Sequence, residues 1–307
     1  MKKIFLSLIA TLCALSSHAQ TIEVFKNGKS FATYTNTPNE HYMVKFYSTG
    51  DYDHINGHDY VIIGGLKWAT MNVGATTVAE SNATAFGDFY AWGEVDTYYK
   101  SYTDTSVSWY KQTDLTHIPG SKISHNWPNY SGGDDSFKEW DPVPYNDNYQ
   151  LTADYDVARK EWGGTWRMPT KEEFRNLYDA CVDEKYSSIN SSTTFAELKP
   201  LPDDGNITEG GIYGVPQNST VDGYPYNVAG VLFVVMEDPT QRIFFPAAGN
   251  IQNIKRDGTG TLCSYWSANA HAEALQYAYP LYIGNAGINV NQKLPRCYGF
   301  SIRPVSD

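Results

Sequence analysis

Apolar and polar positions change period several times along the chain, and the changes predict its elements. In residues 22–25 (IEVF) and 31–34 (FATY), period-two runs flank Asn27-Gly28, the strongest two-residue hairpin signal. A third such run, residues 41–47 (HYMVKFY), follows Pro38, so residues 20–47 are expected to form a small β-hairpin appendage. Residues 60–73 (YVIIGGLKWATMNV) predict a strand, a Gly-Gly break and a second strand carrying Trp68. The pattern turns helical in residues 151–181, LTADYDVARKEWGGTWRMPTKEEFRNLYDAC. Thr152 is placed to cap a first helix that Gly163-Gly164 ends, and Thr170 with Glu173 forms a capping box for a second. Phe174, Leu177, Tyr178 and Cys181 then recur at helical spacing, so the second helix buries one face.

Further on, residues 231–236 (VLFVVM) and 242–249 (RIFFPAAG) flank the turn Glu237-Asp238-Pro239-Thr240 and predict a buried hairpin. Residues 262–268, 274–279 and 299–305 read as three last strands. In the final one Phe300 and Ile302 are expected inward, Ser301 and Arg303 outward. Residues 98–149 lack strong periodicity and read as a long loop excursion or a segment ordered by its own aromatics. Residues 48–59 carry Asp51, Asp53, Asn56 and Gly57, but a calcium loop needs different spacing and a bidentate glutamate. A solvated linker is expected.

The first residues change the picture. Lys2-Lys3, an apolar stretch over 4–15 and Ser17-His18-Ala19 predict a signal peptide over residues 1–19. Leu12 precedes Cys13 where a lipid-attachment motif wants a small residue, so export to periplasm or cell surface is expected, without a lipid anchor. No later stretch is apolar enough to predict membrane insertion. Four segments result: leader 1–19, hairpin 20–47, linker 48–59 and main domain 60–307.

Charge narrows the partners. The chain has 34 acidic and 23 basic residues, and the leader removes two lysines; nucleic acid and anionic lipid are therefore not expected partners. There are 24 Tyr and 8 Trp, which supply core and, with Asn and Ser, contact area at low entropic cost. Chemistry is less visible. There is no G-x-S-x-G elbow, and the histidines after the leader (41, 54, 58, 117, 125, 271) have no triad context, so no catalytic role, cofactor or metal is expected. Cys181 reads as a buried helix residue, and Cys263 with Cys297 as a candidate disulfide, two inert thiols being the alternative.

Seven blocks carry a family resemblance: LKWATMNVGA (66–75), GDFYAWGE (87–94), DYDVARKEWGGTWRMPTKEEFRNL (154–177), IFFPAAG (243–249), YWSA (265–268), ALQY (274–277) and RCYGFSIRPV (296–305). In this order, from about residue 58 onward, the chain resembles the Fibrobacter succinogenes major paralogous domain, common in exported proteins of Bacteroidetes. The resemblance implies an α+β, C-type-lectin-like domain: two helices packed on a small, mostly antiparallel sheet, with long loops and termini brought close together. Calcium-dependent sugar binding in that fold uses Trp-Asn-Asp, where this chain has Trp266-Ser267-Ala268, so a site of that kind is not expected. Diversified relatives carry their ligand-facing positions in the C-terminal stretch. By that analogy Asn269, His271, Tyr279, Tyr282, Asn285, Asn291 and Tyr298 are the candidate ligand-binding residues, for recognition of or adhesion to a glycan or protein. The same fold includes formylglycine-generating enzymes, which leaves an enzyme with copper at Cys263 and Cys297 as the alternative. A structural surface-assembly component, adding a strand to a partner through residues 21–47, is the other.

Overall fold

The computed structural model describes residues 20–26, 29–36, 54–95, 145–182, 198–252, 255–274, 277–284, 287–289, 291–296 and 298–307. They make a mostly β protein with few helices and curled antiparallel sheets. The chain divides into two units, Met1–Asp51 and Tyr52–Asp307.

In the first unit β1 (Gln20–Lys26) pairs antiparallel with β2 (Lys29–Asn36), Lys26 opposite Lys29, so the expected strands pair as a hairpin; residues 27–28 lie outside the described residues. The leader and the third strand at 41–47 lie outside the described residues.

The second unit begins earlier than the sequence pattern suggests. β3 (His54–Ile55) pairs with β4 (His58–Ile63) across Asn56-Gly57, whose φ values of 48° and 85° suit a tight hairpin turn. Residues 54–59 therefore form a strand–turn–strand hairpin and not the solvated linker expected, and the rest of that linker lies outside the described residues. The reason is the Trp-Gly-Gly-Thr-Trp turn over 162–166. The Trp166 indole N–H donates to the Ile55 carbonyl at 2.7 Å, the Asn56 amide donates to the Trp162 carbonyl, and His58 stacks on Trp162 with ring centroids 3.6 Å apart. β4 turns at Gly64-Gly65 into β5 (Leu66–Ala69), Ile63 opposite Leu66. After the short helix α1 (Asn82–Ala85), Phe89, Tyr90 and Trp92 of the aromatic run are all buried. Of the long loop 98–149, only residues 145–149 are described.

Thr152 precedes a 3-10 turn (Ala153–Tyr155) and makes no side-chain capping bond. The cap of α2 (Val157–Trp162) is Asp156, whose carboxylate accepts from the Ala158 and Arg159 N–H groups. The capping box of α3 (Lys171–Cys181) forms as expected. Thr170 Oγ1 accepts from the Glu173 N–H at 3.2 Å, and Glu173 Oε2 accepts from the Thr170 N–H at 2.7 Å. α3 buries Phe174, Leu177 and Cys181, the first two each worth about 1.5–3 kcal/mol relative to exposure.

The expected buried hairpin forms next. After β6 (Gly211–Val215) and the small hairpin of β7 (Ser219–Val221) and β8 (Tyr224–Tyr226) come β9 (Gly230–Val234) and β10 (Arg242–Pro246), in a sheet ordered β10-β9-β6. β11 (Asn250–Gln252) pairs with β12 (Lys255–Asp257). β13 (Cys263–Ala270) and β14 (Tyr277–Gly284) pair antiparallel, extended by β15 (Gly287–Asn289) and β16 (Leu294–Pro295), both on β14. Phe233, Phe245, Tyr265, Leu281 and Ile283 share one core cluster with the buried face of α3, which holds the helix on these sheets.

The last stretch departs from its pattern. Only β17 (Val305–Ser306) is regular; it pairs with β5 and returns the chain to the start of the unit. Residues 299–301 make single bridges to Ile251, Tyr90 and Tyr265. Neighbours on all sides bury Ser301 and Arg303 as fully as Phe300 and Ile302, contrary to the alternation expected.

Arg167 ties the chain end to α3. Its guanidinium donates to both Glu173 oxygens, at 2.8 and 2.6 Å, and to Asp307 at 2.6 Å. Burial raises the Glu173 carboxyl, but the Arg167 fork and the Thr170 N–H outweigh it and leave Glu173 below its usual range; Asp307 is lowered by the Arg167 hydrogen bond. Carboxyls depressed in the folded state stabilise it above their unfolded values, about pH 4, and that contribution is lost as pH falls through their folded values. Arg167→Met is therefore expected to lose about 1–2 kcal/mol at neutral pH, with the unfolding midpoints of variant and wild type converging in acid. A gap unchanged across an acid titration would show that packing alone, not charge, is lost.

Candidate functional site

The irregularity in the β13–β14 ladder builds the site. Trp266 lies opposite Pro280 and Ala270 opposite Ala278, so Ser267, Ala268 and Asn269 stand against the single residue Tyr279. The bulge is secured on every side. Ser267 Oγ donates to the Tyr279 carbonyl, the Ala268 N–H donates to the Pro169 carbonyl at 2.7 Å, and the Ala270 N–H donates to the Tyr149 carbonyl at 2.8 Å. Asn269 turns its Oδ1 to the first N–H of α3, on Lys171, at 2.8 Å. Asn269 thus positions α3 against β13, which accounts for its acceptor oxygen.

Docking α3 there carries the Lys171 ammonium over the Tyr279 ring, 4.2 Å from its centroid. His271 stacks on the same tyrosine at 5.4 Å and 25°. Its Nδ1 accepts from the N–H groups of Glu273 and Ala274, at 3.2 and 3.0 Å, which holds the turn after β13 and leaves Nε2 as the N–H end of the neutral ring. Burial, then the Lys293 charge, lowers the His271 pKa; Glu273 opposes and Lys171 adds to the lowering. Lys293 in turn stands over the Tyr277 ring at 5.4 Å. Tyr277 and Tyr279, two apart on β14, share one face of the strand. The result is a surface of two tyrosines and a histidine with two ammonium groups laid on it.

Of the seven candidate residues, the fold brings together Asn269, His271 and Tyr279. Tyr282 lies three positions beyond Tyr279 and so on the opposite face of β14; its hydroxyl is raised by burial and by Asp257. Asn291 is exposed and donates its backbone N–H to Asn289 Oδ1 in a turn at 2.7 Å. Tyr298 is half-buried, its ring 6.2 Å from Phe300 and packed against the core. Asn285 lies outside the described residues. Lys171, Tyr277 and Lys293 were not among the candidates. No local pattern marks them, because α3, β14 and the turn before β16 meet only in the folded chain.

The candidate disulfide needs correcting at its described end. Cys263 is a free, fully buried thiol whose Sγ lies 3.5 Å from the Phe245 carbonyl, among Val231, Tyr265 and Ile283. Burial pushes its thiol, and that of Cys181, far up, which keeps both as neutral core groups. Cys297 lies outside the described residues. Among the described residues no group of three His, Cys, Asp or Glu side chains is placed to hold a metal ion. Compared with family models, with curated proteins and with solved structures, the chain matches none of them.

Proposed function

We propose that the chain is an exported, non-enzymatic recognition protein, with an α+β, C-type-lectin-like domain of the Fibrobacter succinogenes major paralogous type that binds a glycan or protein ligand at the cell surface. The fold part is supported by the adjacent helices α2 and α3, by the antiparallel ladders beneath α3, and by the pairing of β17 with β5, which returns the chain to the start of its domain. The function rests on one observation: Asn269, His271 and Tyr279 stand together on the bulged end of β13–β14, their backbone tied by Ser267, Pro169 and Tyr149. A site on a tied backbone binds with little loss of ordering entropy.

The test is a joint change of His271→Ala and Tyr279→Ala, with binding read on an array of glycans and host proteins. A loss of at least roughly tenfold for the ligands that wild type retains is expected, from two aromatic contacts of about 1 kcal/mol each. Binding that survives the double change for every such ligand would move the site elsewhere. The enzyme with copper at Cys263 and Cys297 gains nothing from a buried neutral thiol, so the binding reading is preferred.

A further inference from the structure

Charge runs against the rest of the molecule on this face. The chain as a whole is formally −11, yet the described side chains around Tyr277 and Tyr279 are Lys171, Lys293 and His271, with Glu273 as the opposing carboxylate. His271 stacks on Tyr279 and donates its backbone N–H to the Tyr277 carbonyl at 3.0 Å, so the two tyrosines and the ammonium groups over them share one small surface. Lys293 and Glu273 are exposed; Lys171, His271, Tyr277 and Tyr279 are half-buried, so the aromatic faces are held while the charged ends meet water.

We infer that this face takes a carboxylate-bearing saccharide, its acid group meeting the ammonium groups of Lys171 and Lys293 and its ring lying on the aromatic surface of His271, Tyr277 and Tyr279. The inference rests on the recognition reading above and narrows its ligand. An acidic sugar fits better than an acidic peptide for structural reasons. A peptide added as a strand needs an open sheet edge, but β14 is paired with β13 on one side and with β15 and β16 on the other. A helical peptide needs an aliphatic groove, whereas the side chains laid around the two tyrosine rings are Lys171, Lys293 and His271, with Pro295 opposite Tyr277. A phosphorylated or acidic motif is ordinarily held by an arginine fork, whereas the cations here are lysines, which act as point charges without bidentate geometry. Flat rings with a charge beside them suit a sugar ring whose one ionised substituent projects from its edge.

The experiment measures binding of the full chain to three soluble probes: an oligogalacturonate, the same oligosaccharide with its carboxyls reduced to alcohols, and a polyglutamate peptide. Lys171→Gln with Lys293→Gln removes both charges and shortens each side chain by only one atom, and an unchanged thermal midpoint checks that the variant folds. The expected result is binding of the acidic oligosaccharide, weakened roughly tenfold by the double change and progressively by added salt, with weaker binding of the reduced form. Equal binding of the acidic and reduced oligosaccharides, or acidic binding indifferent to the lysines and to salt, would overturn the inference and leave the recognition reading standing. Preferential binding of polyglutamate would overturn it in favour of a peptide surface. Binding of none of the three would overturn it too, and the His271/Tyr279 array test then decides the broader reading by itself.

Discussion

Arg303→Met is expected to destabilise the main unit by about 3–5 kcal/mol, the largest loss from any single change considered for this protein. Arg303 is fully buried, and its partners are neutral oxygens. Nε donates to Asn72 Oδ1 at 2.9 Å, Nη1 to the carbonyls of Ala69 and Thr70 at 2.9 and 2.8 Å, and Nη2 to the carbonyl of Phe244 at 2.9 Å. The group also lies over the Phe245 ring, 4.7 Å from its centroid. Removal from water lowers its pKa to about 10, with Tyr265 opposing the shift, so it remains charged at neutral pH. Methionine would fill much of the volume but strand three carbonyls and the Asn72 side-chain oxygen in the core. Because those acceptors belong to the end of β5, the turn after it and β10, their loss loosens three segments at once. Arg303→Lys should recover only a minor part, since one ammonium cannot reproduce the fork. Denaturant unfolding at constant m-value measures both variants, and a lysine variant as stable as wild type would show that charge, not geometry, is what this core needs.

The second large effect is at Asp156. Asp156→Ala is expected to cost about 2–4 kcal/mol, from a lost helix cap and from a Met168 N–H left without an acceptor. The carboxylate accepts from Ala158, Arg159 and Met168, with Met168 reached by both oxygens at 3.1 and 2.9 Å. It therefore fixes the start of α2 and the strand-like approach to α3 together. Burial pushes the carboxyl up, while the Met168, Arg159 and Ala158 contacts pull it back, so the charge itself is held at a desolvation cost. Asp156→Asn keeps a capping oxygen without that cost and should lose less than half of what alanine loses. Thermal unfolding of the three proteins side by side checks the order, and equal losses for Asn and Ala would mean that both carboxylate oxygens are indispensable.

Asp156 also shows where local reading works and where it stops. The sequence pattern places Thr152 at the cap of the first helix, yet the cap that forms is Asp156. The choice was made by Met168, twelve residues away, whose N–H gives the aspartate a second reason to be buried. The capping box of Thr170 and Glu173 needed no distant partner and was legible as it stands. The Asn56-Gly57 turn sits between: its dipeptide is as strong a hairpin signal as Asn27-Gly28. Its two-residue β3 is too short to show periodicity, and it is held by Trp162 and Trp166 from a different part of the chain.

The candidate site divides in the same way. His271 and Tyr279 are close in sequence, joined by one turn between neighbouring strands, and so were found together. Tyr282 is separated from Tyr279 by strand alternation, since residues three apart on β14 turn to opposite faces, and the sequence pattern had ended that strand at residue 279. Lys171 reaches Tyr279 because Asn269 anchors the start of α3, a contact across 98 residues.

What the amino-acid order determined by itself was whatever depends on near neighbours: the Asn27-Gly28 hairpin, the capped start of α3, the buried β9–β10 pair, the acidic balance and the aromatic wealth. Local hydrogen bonds and period-two or period-3.6 burial set these. Only the tertiary structure decided the fate of the polar residues in the last stretch. Ser301 and Arg303 alternate as surface residues should, yet they are enclosed: β13 bridges Ser301, and the end of β5, the turn after it and β10 supply the acceptors that the buried guanidinium requires. It alone, too, laid the two lysines on their tyrosines, since a charge acts through space on whatever the fold brings within a few ångströms.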